Sequence, residues 1–364
     1  MPDIKMPPRR PAPKGRPMQS ESKQPKPPFK LPSPLVTTFL IVTLLAAAII
    51  LAQCLKGDKV KNIMGLFETQ PPEYDQSATE HLAKPITGMV YAKFDDNTKK
   101  LSIDSANGIL IDLNTNKVIA HKGGNDRIYP ASMTKIMTLI VAYENSPDLK
   151  ATFTMTQKIA DDAYQAGASV AGFVPGEKVP VIDLLYRTAL PSGADATSAL
   201  AELVAGSEDG FARLMNDKVK QLGLQGTHFV TASGLHDDDH YSTCHDMAKI
   251  LEYAISIPKL REILSTYTYT TTPTHEHPEG IMLFNTMNTS MNNTGLSPKA
   301  GNVYVQGGKT GFTNEAHYCL ASFAAYCSKE DAGTAKPRFV LVTAGGIGAN
   351  AHVIDTVKAY KNNT

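Results

Sequence analysis

Residues 35–55, LVTTFLIVTLLAAAIILAQCL, are 21 consecutive residues without a charged side chain. As one helix the run rises about 31 Å, enough to cross a hydrocarbon core of about 30 Å. A run of that kind places the chain before it on one side of a membrane and the chain after it on the other. A cleaved secretory signal has an apolar region of about 7–15 residues behind a short basic flank. Here the run is longer, and 34 residues precede it. A lipoprotein signal at Leu51-Ala52-Gln53-Cys54 fails because Gln53 is large where such signals need a small residue. Residues 1–34 hold eight Lys or Arg against Asp3 and Glu21, together with eleven prolines. They cannot bury enough apolar surface to offset their ordering entropy, so a disordered tail is expected. Lys and Arg concentrate on the cytoplasmic side, which predicts an inner amino terminus and the bulk of the chain outside the cell membrane, held by a single pass. Residues 56–87 read as a polar extracytoplasmic linker containing Pro71-Pro72, and residues 88–364 as the folded domain.

Beyond the basic tail the charges balance. The formal net charge of +1 gives no nucleic-acid signature. The four cysteines, Cys54, Cys244, Cys319 and Cys327, form no CxxC, so zinc-ribbon and thioredoxin readings lack their main signal. In a continuous strand Cys319 and Cys327 would stand about 26 Å apart, whereas a bridge needs Cα atoms within about 7 Å, so no disulfide is expected between them. A Cys244–Cys319 pair stays open.

Residues 108–113 and 117–121 flank Asn114-Thr115-Asn116 and read as a β-hairpin. Residues 131–143 look helical. Apolar positions 181, 184, 185 and 189 share one helical face, Pro191-Ser192-Gly193 breaks that helix, and 194–204 read as the next. Phe211, Leu214, Met215, Val219 and Leu222 mark a further amphipathic helix. From about residue 260 the texture turns to β, with strands at 267–272, 318–326 and 338–344, before a last helix at 351–360. That order predicts an α/β sandwich with a helical insertion.

Ser132-Met133-Thr134-Lys135 carries the first chemical signal. Residues three apart share a helix face, so hydroxyl and amine can meet. Serine needs a base to become a nucleophile, and a lysine amine serves if desolvation or a nearby cation lowers its pKa. A helix start also turns backbone N–H groups toward a developing oxyanion. Taken alone the pattern is an ordinary helix start, and it recurs at Ser20–Lys23 in the tail and at Ser256–Lys259 across Pro258. Lys309-Thr310-Gly311 supplies the second signal, at what reads as a strand edge, where lysine and hydroxyl can bind a carboxylate and glycine lets substrate add as a β-partner. Its bland alternative is a surface turn, and no phosphate-loop pattern accompanies it. Ser192-Gly193, between two helices, offers a hydroxyl for proton relay.

In order and spacing these elements resemble the penicillin-binding protein and β-lactamase signature, an association that is part of general motif knowledge. YPASMTKIMT at 129–138, LPSGADA at 190–196, THFVTASGLHDDDHYST at 227–243 and GGKTGFT at 307–313 are similar to the low-molecular-weight D-alanyl-D-alanine carboxypeptidases, over about residues 88–364. The resemblance implies a β-lactamase-like antiparallel sheet sandwiched by helices with an all-helical lobe. It implies Ser132 as acylated nucleophile, Lys135 as its base and Ser192 as second serine. Lys309, Thr310 and Gly311 would bind substrate, and the backbone N–H groups of Ser132 and Phe312 would form the oxyanion hole. The partners implied are peptidoglycan stem peptides ending in D-Ala-D-Ala, with β-lactams as covalent inhibitors and no cofactor. Two positions depart from the pattern: Ala194 stands where the second motif has asparagine, and His317 where a small residue is usual. Ser-x-Asn also occurs at Ser105 and Ser290, but neither falls between the other two motifs in the helical block.

His236, Asp237, Asp238, Asp239, His240, His245 and Asp246, with His275-Glu276-His277, are dense in metal-ligand types, yet the first cluster lies in text the resembling family carries as an ordinary loop, so no metal is expected. A class A β-lactamase would add a deacylating glutamate beyond the second motif, and residues 226–239 contain none, which favours slow release of penicillin. A D,D-transpeptidase or endopeptidase of the same fold, or a degenerate peptidoglycan-binding module, are the alternatives. Some relatives carry a β-rich domain and a carboxy-terminal anchor; here the amino-terminal span is expected to take the anchoring role.

Overall fold

In the computed structural model, residues 90–364 are described, apart from Pro147 and Ala171. The expectations for residues 1–34, 35–55 and 56–87 lie outside them. The strands are β1 Lys99–Lys100, β2 Asn107–Asp112, β3 Lys117–Lys122, β4 Arg127–Ile128, β5 Thr152–Thr154, β6 Lys178–Pro180, β7 Ser242–Thr243, β8 Thr268–Thr270, β9 Met282–Phe284, β10 Lys299–Ala300, β11 Val303–Thr313, β12 His317–Ala325 and β13 Phe339–Gly346. The helices are α1 Lys135–Glu144, α2 Gln157–Gln165, α3 Val181–Ala189, α4 Ala194–Ala205, α5 Glu208–Gln221, α6 Cys244–Ser256, α7 Pro258–Ser265, α8 Thr286–Asn293 and α9 Ala351–Asn363.

Strands β2, β12 and β13 bury consecutive residues, so both faces of their sheet are covered. Alternate side chains point to opposite faces, and the packing follows that rule. Ile109, Ile111, Ala321, Phe323, Val340 and Val342 join Met247, Ile250 and Leu251 of α6 in a large core that continues into the helical lobe. Leu110, Leu320, Ala324, Phe339 and Leu341 pack with Val353, Ala359 and Tyr360 of α9 in a smaller one. The sheet order is β1-β3-β2-β13-β12-β11-β10. Its pairings are antiparallel except β1 with β3. Helices α1, α3, α4 and α5 form the lobe between β4 and β7, as the break at residues 191–193 predicts.

In the carboxy-terminal third the expected strands appear as β8, β12 and β13 and the last helix as α9, but further helices stand among them. Residues 258–265 form α7 and 286–293 form α8, and α6 is a further helix beyond those expected. The α8 sequence, TMNTSMNN, is polar and buries only Met287 and Met291, too thin a stripe to read as amphipathic. Its start is fixed instead by Asn285, whose side chain accepts from the Met287 N–H at 2.9 Å. The three described cysteines are free, Cys244 and Cys319 both buried. Strand β12 ends at Ala325, so Cys327 lies beyond it and is not bridged to Cys319.

Candidate active site

Ser132 does not open the α-helix directly. It sits in a 3-10 turn, Ala131–Thr134, that leads into α1. Ala131 has φ of 46°, in the left-handed region that costs a non-glycine residue of order 1 kcal/mol or more. The turn is held from behind by Gly234 (φ +79°), where an added Cβ would lie 2.0 Å from the Ala131 carbonyl oxygen. Lys135 comes one turn later. Its Nζ donates to Ser132 Oγ at 3.0 Å and to the Ser233 carbonyl at 2.6 Å. The side chain is 2% exposed. Burial pushes its pKa down to about 7, against the opposing pull of the Glu208 and Asp195 carboxylates. A substantial fraction of the amine is therefore neutral at physiological pH, 3.0 Å from the Ser132 hydroxyl.

Ser192 lies between α3 and α4 with φ of 66°, which turns its hydroxyl into the same cleft; Oγ is buried and has no hydrogen-bond partner. The break around it is fixed by Gly193 N–H on the Arg187 carbonyl at 3.0 Å and Ala194 N–H on the Ser169 carbonyl at 2.7 Å. Strand β11 closes the other side. Strand β10 pairs with it only at Val303 and Tyr304, so the edge at 309–313 carries no strand and faces the Ser132 turn. An added Cβ at Gly311 would stand 2.9 Å from the Pro130 carbonyl and 3.1 Å from the Ser132 and Met133 nitrogens. Gly311 is thus required by the contact between strand and turn, in addition to any approach of substrate. Thr310 lines the cleft and shares a 2.6 Å hydroxyl–hydroxyl bond with Thr286. Lys309 is 1% exposed, donates to the Thr310 carbonyl at 2.9 Å, and has its pKa driven well down by burial and by the charge of Lys135.

The cleft has a volume of about 340 Å³, and Ser132, Lys135, Ser192, Thr310, Gly311 and Phe312 all line it. Lys309 sits just behind that wall. Sequence reasoning missed several neighbours. Ser233 lies in a motif segment but its carbonyl carries no pattern, and Glu208 and Thr286 have no local signal. Ser290 also lines the cleft, from α8, although its triplet falls outside the motif order; Ser105 instead bonds Asp355 at 2.5 Å in the core. Ser256 and Lys259 end up on separate helices, α6 and α7. His317 is exposed with φ of 54° at the start of β12.

The His- and Asp-rich loop has structural work. His240 Nδ1 accepts from the Val230 and Thr231 N–H groups at 3.0 and 3.3 Å, which assigns the proton to Nε2, and that nitrogen donates to Thr134 Oγ1 at 2.7 Å. Burial holds the ring neutral, with its pKa down at about 4. It ties the loop to the turn that carries Ser132. Among the described residues no group of three His, Cys, Asp or Glu side chains is arranged to hold a metal ion.

A profile of peptidase family S11, D-alanyl-D-alanine carboxypeptidase, matches residues 94–330. The chain belongs to this family. It is 35% identical over 236 residues to D-alanyl-D-alanine carboxypeptidase DacF of Bacillus subtilis, covering 64% of this chain and 58% of that protein. It is 37% identical over 207 residues to DacA of Escherichia coli, covering 55% and 51%. The chain therefore spans a little over half the length of these relatives. Among solved structures, the DD-transpeptidase of Streptomyces K15 is similar with a TM-score of 0.62 at 27% identity, over 73% of this chain and 100% of that one. Penicillin binding protein 5 from Haemophilus influenzae gives 0.59 at 27%, over 71% and 70%. The family and the sandwich architecture expected from the motifs are borne out.

Proposed function

We propose that the chain is a serine D-alanyl-D-alanine carboxypeptidase that removes the terminal D-Ala from peptidoglycan stem pentapeptides and is acylated by β-lactams. The observation that carries this reading is the buried Lys135 amine 3.0 Å from Ser132 Oγ, opposite the open edge of β11. Ser132 Oγ attacks the carbonyl carbon of the penultimate D-Ala while its proton passes to Lys135 Nζ. Backbone N–H groups of Ser132 and Phe312 take the oxyanion. Thr310, with Lys309 behind it, holds the terminal carboxylate. The C–N bond breaks, and the leaving D-Ala amine takes a proton relayed through Ser192. Water then cleaves the ester on Ser132 and restores the hydroxyl. Mass spectrometry of a purified stem pentapeptide after incubation with the protein tests this: tetrapeptide and free D-Ala are expected. An unchanged pentapeptide with protein that still binds it favours a degenerate binding module.

A D,D-transpeptidase uses the same acyl-enzyme, and the likeness to the Streptomyces K15 enzyme, complete over that chain, keeps it as the second reading. Adding an amine acceptor to the same assay separates the two, because a transpeptidase would yield the cross-linked product at the expense of tetrapeptide.

Ala194 opens α4, is buried, and lines the cleft where the family's second motif has asparagine. Nucleophile, base, oxyanion hole and carboxylate anchor all stand without it. A neutral hydrogen bond contributes about 0.5–1.5 kcal/mol, so Ala194→Asn should change the second-order acylation rate by only about two- to twelvefold, in either direction. Stopped-flow acylation measures it; a gain above about a thousandfold from an inert wild type would mark the natural protein as crippled.

Membrane anchoring belongs to the same proposal. No described helix is long and apolar enough to cross a membrane, and the uncharged run at 35–55 lies outside the described residues. Its length and basic flank support a single pass with the enzyme outside the cell. Protease added to intact protoplasts should then digest the catalytic domain; protection would reverse the orientation.

A further inference from the structure

His352 lines the cleft but has no place in the steps above. It stands in the first turn of α9, is 3% exposed, and its Nδ1 is buried without a hydrogen-bond partner. Buried polar atoms are nearly always paired, so an orphan at a cleft wall calls for a partner supplied from outside the protein. The ring is not free to seek one elsewhere. It is stacked on Tyr318 at 5.3 Å and 4° between planes, and Tyr318 in turn packs on Phe312 at 4.6 Å. Phe312, Tyr318 and His352 form an aromatic wall running inward from the cleft mouth, and His352 closes its inner end.

The surroundings say what kind of partner is missing. Burial and the charge of Lys309 both act on His352, holding its pKa down at about 4. Burial and the charge of Lys135 act on Lys309. Lys135, Lys309 and His352 are thus close enough in series for each to disfavour the charge of the next. A ligand anion supplies the counter-charge, and a fixed imidazole offers it an N–H even when neutral. We infer that His352 is a third anchor for the terminal carboxylate of the substrate, beside Thr310 and Lys309. This rests on the D,D-peptidase reading of the site, and it sets the specificity for a free carboxylate over a blocked one. Tyr318 acts through it, as the surface that fixes the ring.

The test compares two substrates on the full chain: a tripeptide ending in D-Ala-D-Ala and the same peptide as its C-terminal methyl ester. Wild type should prefer the free acid. Losing a hydrogen bond to a charged group costs about tenfold or more, so His352→Leu should lower kcat/KM for the acid by that factor, chiefly through KM. The ester should change less than about threefold, since its terminal group presents no charge to the anchor. His352→Gln, which keeps a donor, should recover most of the acid preference, and thermal melts establish that both variants fold. An acid-to-ester ratio unchanged in His352→Leu, or equal losses on both substrates, overturns the inference. If wild type cleaves neither peptide, the D,D-peptidase reading itself fails and takes this one with it, whereas a changed ratio alone leaves that reading intact.

Discussion

Lys135→Arg should lose acylation by penicillin by a factor of about a hundred to ten thousand, the range a positioned general base contributes. Arginine keeps the positive charge and can still reach Ser132, so loss of charge cannot account for the effect. What it cannot do is give up its proton, because its pKa stays above about 12. In the wild type, burial among the helices of the lobe brings Lys135 to about 7, despite Glu208 and Asp195 pulling the other way. If Lys135 is the base, as proposed, the working form is the neutral amine. Its population rises about tenfold per pH unit below that value and levels off above it, so the wild-type acylation rate should climb to a plateau across pH 7. Rates measured from pH 5 to 9 for both proteins check both statements. Retained acylation in Lys135→Arg, or a wild-type rate that falls as pH rises through 7, assigns the base elsewhere.

Gly234→Ala should cripple the site from behind. At φ +79° an L side chain is strained before any contact is considered, and the new Cβ would stand 2.0 Å from the Ala131 carbonyl oxygen and 2.9 Å from Thr134 Oγ1. The first of these is backbone, so the 3-10 turn carrying Ser132 has to move. Left-handed strain and overpacking together should cost about 2–5 kcal/mol. Displacing a nucleophile by about 1 Å can cost about a hundredfold in rate. Urea denaturation and acylation kinetics read the two effects separately. Gly295→Ala is the control: φ is +67° there too, but nothing lies within 4 Å of the added Cβ. It should lose about 1–2 kcal/mol and no acylation rate. Equal behaviour of the two variants would show that Gly234 does not clamp the turn.

Ser132, Lys135, Thr310 and Gly311 were legible because their relations are local. Three residues along a helical turn bring hydroxyl and amine together, and Thr310 and Gly311 are neighbours on one strand edge. The two helices around Ser192 were readable from a 3.6-residue apolar period broken at Pro191-Ser192-Gly193. What the sequence hides is what acts across long separations. Glu208 bears on Lys135 from 73 positions away in sequence (208 against 135), with its own carboxylate held by the Ala232 N–H at 2.6 Å. The Ser233 carbonyl that holds Lys135, and the Gly234 that blocks Ala131, belong to a loop whose motif text shows nothing of what it touches. His240 looks like a metal ligand by type and density, and only its three hydrogen bonds reveal a neutral pin. Helix α8 escapes a sequence reading because a cap and two methionines outweigh a poor intrinsic propensity, which no period in the sequence displays.

The central claim is that Ser132 is the residue acylated. Wild-type protein and Ser132→Ala are incubated with benzylpenicillin, weighed intact, digested and mapped. One penicilloyl group on the peptide containing Ser132, absent from a folded Ser132→Ala, is the predicted result. An adduct on any other residue, or none on folded wild-type protein, would contradict it.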